Sequence, residues 1–147
     1  MEAASDMFDE QQVGDAPTLH RPKVPNHSTI YLDYIPQSIK SFLMKSNFTF
    51  VGIKVADDIA KLQNGYGLGC RKSADIRELA KRQWPGRFRR PGLKDLALKV
   101  VGLYMRKPKH VCMSNWEARL LIESQVEYAC LDAYASCRIG HKLLLEM

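Results

Sequence analysis

No run of about 18 apolar residues occurs in the 147-residue sequence, so no segment is expected to span a membrane as a helix. The first residues lack the basic-then-apolar layout of a secretory signal, and none is expected. No Lys or Arg lies in residues 1–20, which hold five of the sixteen acids: Glu2, Asp6, Asp9, Glu10 and Asp15. No CxxC pair links Cys70, Cys112, Cys130 and Cys137, and His20, His27, His110 and His141 do not stand at zinc-site intervals from them. These absences argue against a zinc module and a disulfide scaffold. They leave reduced, mostly buried thiols in an intracellular protein.

What is present fits one globular domain. Apolar residues make up 46% and charged residues 26%, and the length suffices for a single core. The formal charge of +6 is unevenly placed: outside residues 1–20 there are 22 basic and 11 acidic residues, a net +11. A body this basic suits a polyanionic partner, although charge speaks to association and not to fold.

Residues 1–28 are acidic, lack apolar periodicity and carry Pro17, Pro22 and Pro25, which predicts a disordered tail ahead of a domain over 29–147. Thr29–Leu32 is a short strand candidate. A helix is expected from Pro36 to Lys45, closed by Asn47, with Ile39, Phe42 and Leu43 in phase. Phe48–Ile53 is the clearest strand, an apolar, aromatic and β-branched run, as in an interior strand buried on both faces. Asp57 or Asp58 is expected to open a helix ended by Gly65. Further helices are predicted over Ala74–Gln83, Leu93–Val101 and about Glu123–Leu145. The last of these shows an apolar stripe of Val126, Ala129, Cys130, Ala133 and Cys137. Alternating strands and helices predict an α/β sandwich.

Tyr128 and Asp132 lie four apart on the last predicted helix, so both side chains face one point. A carboxylate there suits a hard divalent cation, and a neighbouring phenol can position a water or a phosphate oxygen. Alone, such a pair is commonplace. Asp58, however, follows the strand Phe48–Ile53, and functional side chains of open α/β sheets gather beyond the carboxyl ends of strands.

The stretches Val51-Gly52-Ile53 through Asp58 to Lys61-Leu62, and Ser114-Asn115-Trp116 followed by Gln125, Tyr128-Ala129 and Asp132-Ala133, occur in order. Together they resemble the Werner-type 3′–5′ exonucleases of the DEDDy class, most closely the plant members, from about Ile35 to Leu144. The resemblance implies a ribonuclease-H-like α/β fold. It also implies a two-metal site, with Mg²⁺ or Mn²⁺ held by four carboxylates beside one tyrosine. By position, Asp58 and Asp132 would be catalytic acids and metal ligands, with Asp57 the alternative to Asp58. Tyr128 would orient the attacking water.

The family's first motif, Asp-x-Glu on the central first strand, has no counterpart: no Asp in this chain is followed two residues later by Glu. Asp9-Glu10 are adjacent, and Asp75 and Glu78 are three apart. With two acids remaining, and hard cations favouring about six or more oxygen ligands, metal binding is expected to be weakened. The fold is expected to lack its first strands, with Thr29–Leu32 as the third, as in a shortened isoform or gene model. Such a chain would lean on a protein partner to complete the sheet.

Residues 81–94 contain six basic residues, no acid, and the aromatics Trp84 and Phe88. Arg87, Arg89, Arg90 and Lys94 are candidates for phosphate contact, and Trp84 and Trp116 for stacking or for walling the site. The same run could serve as a nuclear import signal, so the nucleus is the expected location, with the cytoplasm as a further one. The expected function is binding of single strands or 3′ ends with weak or lost hydrolysis. An active metal-dependent exonuclease and a non-catalytic interaction module are the alternatives.

Overall fold

The computed structural model describes residues 34–147. The acidic tail expected over 1–28 and the strand expected over Thr29–Leu32 lie outside the described residues. Helix α1 (Gln37–Leu43) follows Pro36, whose φ of −56° already suits a helix entry. It stops at Leu43, earlier than Lys45.

Strand β1 (Phe50–Gly52) leads into helix α2 (Val55–Tyr66), which returns the chain to strand β2 (Ser73–Asp75). The two strands pair in parallel, with Phe50 opposite Ser73, Val51 opposite Ala74 and Gly52 opposite Asp75. β1 is therefore shorter than the expected Phe48–Ile53. Its partner is three residues long, and the chain leaves the ladder at Lys54. β2 itself corrects the helix predicted from Ala74, which begins only at Ile76 as α3 (Ile76–Gln83). Ser-Ala-Asp carries no β-branched residue; pairing with β1, not propensity, makes it a strand.

The three β1 residues are buried, and their side chains serve two different cores. Phe50 joins Leu43, Leu62 and Leu68 on the side of α1 and α2, with Phe42 edge-on to its ring at 5.3 Å between centroids. Val51 joins the larger core with Ile76, Ala80, Leu96, Ala97 and Ile139, supplied by α3, α4 (Leu93–Val101) and α6 (Glu123–Leu145). Successive strand residues pointing to opposite faces produce this division. The result is a parallel α/β layer with helices on both sides, as expected.

In α4 the expected residues Leu93, Leu96, Ala97 and Val100 are all buried. α2 closes at Gly67, φ +64°, and not at Gly65, which is helical. A glycine has no Cβ to crowd the following carbonyl in αL geometry, which favours Gly67 as the stop. A four-residue helix, α5 (Lys109–Cys112), precedes α6. No helix among the described residues is long and apolar enough to cross a membrane.

The stripe expected on α6 is corrected. Val126 is 48% exposed and Cys130 is exposed, whereas Gln125, Tyr128, Asp132, Ala135, Ser136, Ile139, Gly140 and Leu143 are buried. Spacing by three and four persists, but the buried face starts with polar side chains, so counting apolar residues selects the wrong side. Cys137 is buried as expected. Cys112 is exposed and Cys70 half-buried, so the thiols are not mostly buried.

Candidate active site

Three of the motif residues are gathered at the N-terminal half of α6. The turn holding Ser114-Asn115-Trp116 is fastened to this helix by Gln125, whose Nε2 donates to Ser114 Oγ at 2.9 Å and to the Asn115 carbonyl at 3.0 Å. Gln125 Oε1 accepts from the Ile122 backbone N–H at 3.0 Å, satisfying one orphan donor at the helix start. Ser114 Oγ in turn donates to the Val111 carbonyl of α5. The Ser-Asn step and Gln125 thus form one hydrogen-bonded joint, which explains why these residue types occur together.

That joint presents Trp116. Its Nε1–H donates to the Cys112 carbonyl at 3.0 Å, and its ring lies 5.7 Å from the ring of Tyr128, tilted by 53°. Trp116 therefore packs against Tyr128. Tyr128 is 7% and Asp132 4% exposed, one turn apart on the inner face of α6. Such burial of a carboxylate requires compensation. Lys107 contributes to it: its Nζ is 3.2 Å from Asp132 Oδ1 and 5.4 Å from the centre of the Tyr128 ring. The sequence carried no sign of this pairing, because Lys107 lies 25 positions before Asp132 in an irregular segment and looks like ordinary surface.

Asp58 is placed by a different device. Lys54, between β1 and α2, adopts φ +56°, ψ +37°, turning the strand sharply into the helix. Asp57 and Asp58 then fall in the first turn, where carboxylates favour the positive end of the helix dipole. Asp57 is exposed and Asp58 half-buried, with its Oδ2 shielded from solvent. The geometry therefore favours Asp58 as the inward-facing acid of the two. The sharp turn is held by Asp75, whose Oδ2 accepts from the Lys54 N–H at 2.7 Å while Oδ1 caps α3 at Arg77 N and Glu78 N. Asp75 is thus a structural clamp, missed in the sequence because its partner is 21 residues away.

A two-metal centre does not fit this ligand set. Among the described residues no group of three or more His, Cys, Asp or Glu side chains is placed to hold a metal ion. Asp132 already faces an ammonium group.

The basic loop between α3 and α4 is anchored at both ends. Trp84-Pro85-Gly86-Arg87 closes with Arg87 N–H donating to the Trp84 carbonyl at 3.2 Å, Gly86 supplying φ +79°. At the other end Arg77 Nε donates to the Pro91 carbonyl at 2.9 Å. Between these anchors Arg87, Arg89 and Arg90 are exposed, as is Lys94 at the start of α4. Trp84 is half-buried and Phe88 buried; the Arg87 guanidinium lies 5.8 Å from the Trp84 ring centre.

A family model described as 3′–5′ exonuclease matches residues 23–147. The chain is 32% identical over 118 residues to a 3′–5′ exonuclease of Arabidopsis thaliana, covering 80% of this chain and 40% of that protein. It is 34% identical over 111 residues to the human Exonuclease 3′-5′ domain-containing protein 2, covering 75% of this chain and 18% of that protein. Against the crystal structure of the EXD2 exonuclease domain soaked in Mn, identity is 32% and the TM-score 0.35, over 77% of this chain and 55% of that one. The chain spans less than half the length of these two curated relatives. With a family match that covers all the described residues, the chain belongs to the 3′–5′ exonuclease family, with the family's ribonuclease-H-like α/β fold.

Proposed function

We propose that these 147 residues bind the 3′ region of a single-stranded nucleic acid and hydrolyse it slowly or not at all. The carrying observation is a contrast within one chain. The loop holding Arg87, Arg89 and Arg90 is exposed and free of acids, whereas the acid that would serve a metal, Asp132, is ion-paired to Lys107. The first feature supports sequence-independent phosphate contact. The second, with the absent Asp-x-Glu, supports a weakened affinity for Mg²⁺ or Mn²⁺ in the DEDDy, Werner-like scheme. In that scheme Asp58 and Asp132 are the metal acids and Tyr128 orients the water. A nuclear location goes with the basic loop as part of the same proposal.

A second reading has an observation of its own. Leu120, Ile122 and Val126 are 83%, 63% and 48% exposed at the start of α6. An exposed apolar group of this kind favours a protein partner.

The test uses the purified chain with a 3′-labelled single strand, with Mg²⁺ or Mn²⁺ and with chelator. The expected result is retention that weakens steeply with salt, and little nucleotide release. Replacing Arg87, Arg89 and Arg90 together by Ala is expected to flatten the log–log salt slope by about 2, at roughly 0.7 for each phosphate no longer neutralised. Vigorous metal-dependent release that Asp132→Ala abolishes would overturn the hydrolytic half. Salt-insensitive retention would overturn the binding half.

A further inference from the structure

We propose that Lys107 is a built-in cation for the Asp132–Tyr128 site and that its ammonium group keeps divalent metal ions off Asp132. The side chain is held from two sides. Its Nζ is 3.2 Å from Asp132 Oδ1, and the same atom sits 5.4 Å from the centre of the Tyr128 ring, within cation–π range. Tyr128 is braced by Trp116, and Trp116 by its bond to the Cys112 carbonyl. Lys107 is partly covered, its side chain 24% exposed, and the Asp132 side chain is 6% exposed. Pro108 restricts the Lys107 backbone too, and Met105 two residues before is buried in the core.

A lysine so placed satisfies the carboxylate with a single positive charge and needs no further ligands. A divalent ion at the same oxygen would need several more oxygen donors. No third acidic, histidine or cysteine side chain stands ready among the described residues. The incoming ion would also have to displace the ammonium, because two cations at one partly buried oxygen repel strongly. Pairing with Lys107 therefore wins over metal binding for this set of side chains. The same pair stabilises the inner face of α6, since removing one member of a buried pair leaves the other charge uncompensated. The inference concerns the cation at Asp132 and does not depend on nucleic-acid binding, so either can fail without the other.

The full 147-residue chain is titrated with Mn²⁺, free ion being read by electron paramagnetic resonance, alongside Lys107→Met, Asp132→Asn and the double variant. The parent is expected to retain no more Mn²⁺ than Asp132→Asn. Lys107→Met is expected to bind Mn²⁺ at least tenfold more tightly than the parent, and the double variant to lose that gain. Mn²⁺ uptake by the parent that Asp132→Asn removes, as tight as in Lys107→Met, would overturn the proposal, as would a folded Lys107→Met with no gain. Should Lys107→Met fail to fold, acylation of the Lys107 amine in the parent gives the answer by mass spectrometry. Slow labelling that Mn²⁺ leaves unchanged supports the proposal. Labelling that Mn²⁺ accelerates, with no such effect in Asp132→Asn, shows a displaced lysine and overturns it.

Discussion

Asp75 and Lys54, 21 residues apart, are joined by a 2.7 Å hydrogen bond from the Lys54 backbone N–H to the Asp75 carboxylate. One side chain thereby caps α3 and holds the turn that sets the direction of α2, the helix bearing Asp58. Asp75→Ala removes a helix cap worth about 1 kcal/mol and a charge-assisted bond worth about as much again. A loss of about 2 kcal/mol in urea unfolding is expected, with Asp75→Asn recovering most of the cap. A change under a few tenths would show that the clamp contributes little.

Lys54 is the one non-glycine residue with positive φ among the described residues, at +56°. A side chain in this region costs roughly 1–2 kcal/mol, partly offset by the extra chain entropy a glycine must lose. Lys54→Gly is expected to raise stability by up to about 1 kcal/mol. The thermal midpoint checks the sign; a fall would mean that the lysine side chain makes compensating contacts.

Gly140 lets α6 lie against β1. A Cβ built there would meet Val51 Cγ2 at 3.0 Å and Cγ1 at 3.1 Å, and Val51 is 1% exposed. A β-branched strand residue in the core has little room to yield. Gly140→Ala should therefore destabilise by about 1–2 kcal/mol despite the better helix propensity of alanine. Combined with Val51→Ala, the same substitution should cost less than on the parent background, a coupling that a double-mutant cycle measures directly.

Burial pushes the Cys70 thiol above its ordinary 9.0, opposed by a smaller lowering effect of a backbone hydrogen bond at Lys72. The folded chain therefore keeps this proton where the unfolded chain loses it. The stability contributed is complete below the unfolded value and is lost as pH rises through the folded one. Urea midpoints measured from about pH 8 to about pH 10 should fall less steeply in Cys70→Ala than in the parent if thiol ionisation is the group responsible. Equal slopes would contradict the burial effect. In the same preparation Cys112 and Cys130, both exposed, should alkylate before buried Cys137.

Local pattern was enough for several elements. The phase of Leu93, Leu96, Ala97 and Val100 specified α4, the apolar run around Phe50-Val51 specified a buried strand, and Pro85-Gly86 specified a turn, because each depends on neighbours in sequence. Tyr128 and Trp116 were legible as motif residues, and their rings lie 5.7 Å apart. Tertiary structure alone decided the rest. Ser73–Asp75 is a strand only because β1 lies beside it. The buried face of α6 begins at Gln125 and not Val126, because polar side chains with long-range partners occupy it.

The longer helices, the buried strand around Phe50, the family motifs and the lack of an Asp-x-Glu pair were therefore set by the sequence itself. Which charge stands opposite Asp132 was not. Hydrophobic periodicity records how a segment meets the core, but an ion pair between Lys107 and Asp132 is a distance in space between two segments, and only folding defines it.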